Sequence, residues 1–377
     1  MDVSKRITPA RVAPLSLAFC TGLFAVLALM GCGGTTSTPS ASTLPSASQT
    51  GPLSGSVGVF AYEDAIIPQI LGPFQKANPD LTVRKAAFST NDEAVAKLRA
   101  GFKADVLHVC VEETPRMVRL GLLQPLDTSR ISEWAKVIPS VRKLGGVVVN
   151  GKVYMVPTSG GTGGLLYNPK VIPGGVASWK ALFEDPALKG KITLEDMPAT
   201  GIPIAALALG YEDPFHLTDA DLQKVQDYLI AHKDQLRTFF TGDANFVNLY
   251  KSGEIAAGFA WHDYAVTLAR EGLPAKYVVP EEGALAWICG FGISSESANL
   301  DNAYGLVNYY NSAPPEAWYA KNYTYWVFNS DAPSLLPPKL VKSIGLDRPE
   351  QLQQAIPLVI PDNYDAWLRV WQAFKKG

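Results

Sequence analysis

From Val57 onward the apolar positions follow two alternating rhythms. In VGVFAY, Val57 and Val59 alternate with small residues ahead of Phe60, the two-residue period of a strand. IIPQILGPFQKANP then shows the spacing of an amphipathic helix, and LTVRKAAF reads as a second strand. STNDEAVAKLRAGF predicts a helix that opens with a capping box, Thr90 with Glu93 three residues on. ADVLHVC is an apolar strand, and TPRMVRLGLL a helix with Thr114 as N-cap and Pro115 at the first helical position. This βαβαβα order predicts a parallel sheet flanked by helices.

The same rhythms return further on. KITLED, IAAGFAW, AKYVVP and LAWICGFGI predict strands. TGIPIAALALG, TDADLQKVQDYLIAHKDQL (capped by Thr218), NFVNLYKSGE (ending at Gly253) and HDYAVTLAREG predict helices, and three more helices close the chain. Between the two halves, VPTSGGTGGLLYNP is a strand broken by Gly160, Gly161, Gly163 and Gly164. Such a run reads as a bulge, a crossing between two lobes, or a backbone cradle for a bound group.

The first residues carry a different pattern. Lys5, Arg6 and Arg11 precede the apolar stretch Val12–Met30, which ends in Leu29-Met30-Gly31-Cys32. This reads as a secretory signal over 1–31, resembling a lipoprotein signal in which Cys32 is lipidated. The competing reading is a plain membrane anchor, since the stretch nearly spans a bilayer. Residues 32–56 are almost all Gly, Ser, Thr, Pro and Ala, too poor in apolar surface to order themselves, and are expected as a disordered tether. A coil of that length spans on the order of 25–30 Å.

Composition removes several function classes. The chain has 377 residues, enough for two lobes with ordinary cores, and a formal net charge of -2. It has no basic run longer than two, so no nucleic-acid surface is expected. There is no nucleophile elbow, phosphate loop, H-E-x-x-H or C-x-x-C pattern, and the four histidines show no metal-ligand spacing. Neither a metal nor a cofactor is expected, and an enzyme is the least favoured class.

FAYEDAIIPQILGPFQKANPDLTV, STNDEAVAKLRAG, ADVLHV, RMVRLGLLQPLD, VPTSGGTGGLLYN, SWKALF, LKGKITLED, SGEIAAGFAWHDYA, VVPEEGALAW and the helix after NLDNA follow one order and spacing. In that order they resemble the spermidine/putrescine-type solute-binding proteins of ABC importers, from about Val57 to the C-terminus. The resemblance implies an α/β, two-lobed periplasmic-binding-protein fold, each lobe a mainly parallel sheet with helices on its faces. It places lobe 1 at 57–159 and 288–330, and lobe 2 at 160–287 and 331–377. It implies a monomer, exported and held to a bacterial membrane by its lipid, that passes a small solute from the interlobe cleft to an ABC permease.

Carried over residue by residue, the resemblance puts Tyr62 (with Glu63 beside it), Cys110, Glu112, Gly161, Thr162, Thr200, Trp261, Asp263, Trp287 and Cys289 at the ligand. Three acidic positions of the family fall on Met197, Thr200 and Cys289, which argues against ordinary spermidine or putrescine, because a buried ammonium needs a carboxylate. Glu112 or Asp263 with the aromatics would suit a smaller amine, a quaternary ammonium or a zwitterion. The alternatives are an anionic solute, such as a phosphonate or carboxylate held by the glycine backbone, and a surface sensor. Cys110 and Cys289, the cysteines outside the signal and lipid site, fall at cleft-facing strand ends. They either pair or line the cleft as free thiols.

Overall fold

The structure, a computed structural model, describes residues 52–348 and 355–377. The expected signal, Cys32 and the tether as far as residue 51 lie outside the described residues. The last part of the expected tether is ordered, which corrects its boundary. Leu53 is buried, its N–H donates to Asn78 Oδ1 at 2.9 Å, and strand pairing begins with Gly55 opposite Leu81. One large apolar side chain that reaches the core is enough to end a coil.

The first half-sheet contains β1 (Gly55–Ala61), β2 (Leu81–Ala87) and β3 (Val106–Cys110), joined by helices Pro68–Ala77 and Asn91–Arg99. β1 pairs in parallel with both neighbours. Thr90 Oγ1 accepts from the Glu93 N–H, while the Glu93 carboxylate reaches back to Ser89 N–H rather than to Thr90. The next helix, Thr114–Arg119, begins one residue earlier than expected: Glu113 occupies the cap position, and the Thr114 hydroxyl donates to Cys110 O.

Two long strands follow in the sheet, β4 (Val156–Tyr167) and β8 (Ala284–Ser294), antiparallel to each other. Beyond them lie β5 (Ile192–Glu195), β6 (Leu236–Phe240) and β7 (Ala257–Trp261), with β5 parallel to both neighbours. The spatial order is β2-β1-β3-β8-β4-β7-β5-β6, so one curled sheet runs through both lobes. β6 follows the helix expected over 218–236 and was not itself expected. The helix ends at Ala231, and the chain turns through Lys233–Gln235 into the strand.

The apolar side chains form two cores. One draws on residues from Leu53 to Val156 and from Ile288 to Ile344; the other draws on Leu165 to Leu285 and Leu358 to Phe374. The segment after residue 330 was expected in the second lobe, but Ala332, Leu336 and Ile344 pack in the first core. Its anchor is Glu316, whose buried carboxylate accepts the N–H groups of Phe328 and Asn329 at 2.8 and 2.6 Å.

Between the cores the chain crosses once after Ile344 and twice in the sheet, on β4 and on β8. The four glycines of β4 lie here, in an unbroken strand with no left-handed backbone among them. Glycine is required by close approach. A Cβ on Gly161 would lie 2.5 Å from the Trp287 indole nitrogen, and one on Gly163 2.5 Å from the Phe259 ring. Gly160 to Gly163 run in register with Ile288 to Leu285, so the backbone serves the ladder. Gly161 and Thr162, expected at the ligand, lie within this ladder. A bulge lies beside the run, where Cys289 pairs Ser159 but Gly290 pairs Pro157.

Candidate functional site

A cavity of about 440 Å³ lies where the strands of both lobes end. Tyr62 and Asp64 follow β1, and Glu112 follows β3. Glu195 closes β5, Trp261 closes β7, and Asp263 opens the helix His262–Arg270. Asp243 opens the helix Asp243–Lys251 beyond β6. Carboxyl ends of parallel strands, where helices begin, are the usual ligand position of open α/β sheets. Trp287, Cys289 and Ser159 come from the crossing strands.

The lining carries five carboxylates, Asp64, Glu112, Glu195, Asp243 and Asp263, and among the described residues no lysine or arginine. Burial pushes Asp64 up to about 6. Burial also pushes Glu112 up to about 7, helped by the Glu113 charge. Glu195 and Asp263 rise to about 7 through burial and then their acidic neighbours, Asp243 beside both and Glu195 beside Asp263. His108 supplies no balancing charge, because burial pushes it down to about 3 and it stacks on Phe291 at 4.7 Å. Buried oxygens of Glu112 and Glu195 have no hydrogen-bond partner. Such a cluster is poised for a cation.

Side-chain bonds fix parts of the wall. The Tyr62 hydroxyl donates to Asn91 Oδ1 at 2.9 Å, and Asn91 Nδ2 donates to Glu112 Oε1 at 3.3 Å. The Tyr264 hydroxyl donates to Asp243 Oδ1 at 2.9 Å. Trp287 meets Tyr325 edge-to-face at 4.8 Å, leaving aromatic surface toward the cavity. Cys110 and Cys289 stand opposite each other on β3 and β8 and form a disulfide, 179 residues apart in sequence, which lines the cavity.

Residues 69–344 match the bacterial extracellular solute-binding protein family. The chain is 25% identical over 291 residues to the spermidine/putrescine-binding periplasmic protein of Escherichia coli (strain K12), covering 74% of this chain and 80% of that one. It is 25% identical over 277 residues to the putrescine/agmatine-binding protein of Pseudomonas aeruginosa, covering 67% and 73%. The chain belongs to the bacterial extracellular solute-binding proteins. The solved fold of PotD, a substrate-binding protein of a spermidine/putrescine ABC transporter from Streptococcus pneumoniae, superposes on this solute-binding protein with a TM-score of 0.75 at 20% identity. That match covers 86% of this chain and 99% of that one. The fold is thus the expected two-lobed α/β architecture, and the relatives are transport binding proteins.

Of the residues expected at the ligand, the cavity brings together Tyr62, Cys110, Glu112, Trp261, Asp263, Trp287 and Cys289. Glu63 points to solvent beside the lining Asp64. Thr200 is fully buried, and its hydroxyl donates to Met197 O. Gly161 and Thr162 lie in the ladder, with Thr162 Oγ1 accepting from Tyr277. Sequence reading missed Asp64, Glu195 and Asp243 as cavity acids. Glu195 and Asp243 do stand at a predicted strand end and next to a predicted helix start, and that position was the available signal. The replaced family acids are therefore no argument against amines, since other carboxylates fill the same cavity.

Proposed function

We propose that this protein captures a small organic cation with two or more amine nitrogens between its lobes and delivers it to an ABC permease. The observation that carries the reading is the set of five lining carboxylates with no basic side chain among the described lining residues. Asp64 and Glu112 face one nitrogen from the first lobe, and Glu195, Asp243 and Asp263 face another from the second. Tyr62, Trp261 and Trp287 supply aromatic faces, each contributing about 0.5–2 kcal/mol to a desolvated cation. Because the acids belong to opposite lobes, a bridging dication stabilises the closed form over the open one. β4 and β8 carry the bend, and no step requires bond chemistry. The five acids disfavour an anionic ligand, and no lysine or arginine among the described lining residues offsets them.

The relatives are binding proteins for spermidine, putrescine and agmatine, all amines, which supports the same class. Calorimetry with putrescine, spermidine, 4-aminobutyrate, an alkylphosphonate and glucose at pH 8 tests it. The di- and polyamines should bind one to one and most tightly. Phosphonate or glucose binding without amine binding would refute the reading. We further propose that the protein acts as a monomer tethered through lipid on Cys32. Cys32→Ala should release it from membranes or block its maturation, and retention through an uncleaved N-terminus would show a plain anchor instead.

A further inference from the structure

The acid cavity continues into a second space. Glu112 and Leu358 line both the 440 Å³ cavity and a groove of about 890 Å³. On the first-lobe side the groove is walled by Leu144, Val148 and Val149, and along its other side by Ile356, Val359 and Ile360. All six of these side chains are half-buried. They are apolar surface that the described residues leave partly open, continuous with the acid cavity through Glu112 and Leu358. The five carboxylates proposed for amine nitrogens all line the smaller cavity, and of these only Glu112 also lines the groove. The groove's rim carries charged and polar side chains of its own. Arg119 meets Asp362 at 3.8 Å, Asp213 holds His216 at 2.8 Å, and Glu212 stands exposed beside them.

We infer that the ligand is an N-substituted amine, a charged di- or polyamine head carrying an aliphatic or aromatic arm, and that the arm lies in this groove. The inference rests on the cation reading above and extends it. The head fills the acid cavity, the chain passes between Glu112 and Leu358, and the arm covers the six apolar side chains. A bare diamine would leave them wet in the closed form, whereas an arm removes them from water. Each fully buried methylene then tightens binding about fourfold, the equivalent of about 0.8 kcal/mol.

The test is calorimetry with putrescine and its N-butyl, N-hexyl and N-octyl derivatives, with octanoate as the headless control. Affinity should rise three- to fourfold per methylene and level off once the groove is full, while octanoate does not bind. Ile360→Ser removes an apolar side chain from the groove without touching the acid cavity. It should leave putrescine affinity unchanged, which also reports correct folding, and reduce octylputrescine affinity roughly tenfold. Equal or falling affinity along the series, with putrescine itself bound, overturns the arm and leaves the cation reading intact. Failure of every amine in the series to bind overturns both. A gain that Ile360→Ser and Val149→Ser together leave untouched places the arm elsewhere and also overturns the assignment.

Discussion

On the first-lobe wall of the cleft, Glu112 is held by Asn91, which is itself held by Tyr62, and the strand beneath is tied to the crossing strand by the Cys110–Cys289 disulfide. On the second-lobe wall, Glu195, Asp243 and Asp263 crowd one another, and their neighbours raise Glu195 and Asp263 further. The first wall is organised before any ligand arrives. The second remains electrostatically unfavourable until a cation does. Pre-organisation and stored repulsion both favour binding, and the buried acids of both walls make the empty protein less stable once ionised, with mutual repulsion added on the second.

The largest expected effect tests the rigid wall. Replacing Cys110 and Cys289 by serine, or reducing the bridge, opens a loop of 179 residues and should cost up to about 5 kcal/mol of stability. Denaturant midpoints with and without reductant measure it. Thiol titration of the unreduced, unfolded protein should find no free thiol from this pair, and two reactive thiols would dismiss the bridge.

Next comes the crowded wall. Asp263→Asn should weaken diamine binding by about 2–3 kcal/mol while stabilising the empty protein at pH 8. The pH dependence follows from the same acids. Their folded values lie above their unfolded ones, at about 6 for Asp64 and about 7 for Glu112, Glu195 and Asp263. Their protonated forms therefore favour folding at low pH, and that contribution is lost as pH rises through about 6 to 7. The empty protein should be more stable at pH 5.5 than at pH 8, whereas diamine affinity should rise over the same interval. Parallel rather than opposed trends would mean the acids do not meet the ligand.

Trp287→Ala removes an aromatic face that belongs to neither acid wall and should cost about 1–3 kcal/mol of binding. Unchanged affinity would place Trp287 among the packing residues, with Tyr325. The smallest effect is expected from Asn91→Ala. It frees Glu112 and Tyr62 and should weaken binding about fivefold, with little change in the unfolding midpoint. An effect as large as that of Asp263→Asn would show that the first wall is no less strained than the second.

Local pattern was sufficient for most elements. The βαβαβα opening, the Thr90 and Thr218 caps and the late strands are all dictated by neighbouring residues, because helices and strands are selected by side-chain period and end chemistry. The glycine run was legible as an exception but not as a crossing. Its cause is contact with Trp287, Phe259 and Phe328, which come from distant parts of the chain. For the site, matched positions found the aromatics, Glu112 and the cysteines, yet missed Asp64, Glu195 and Asp243. A carboxylate's role depends on which strand ends the sheet order brings together, and that order, β3 beside β8 and β7 beside β5, joins residues more than 60 positions apart. The pairing of Cys110 with Cys289 was likewise undecided until β3 and β8 became neighbours, since only adjacent strands bring two Cα atoms within reach of a disulfide. The sequence by itself determined most of the elements and, through the family resemblance its segments carry, the two-lobed class. Tertiary structure alone decided the charge of the cleft, because electrostatic environment is set by distance and burial, and neither is a local property of the chain.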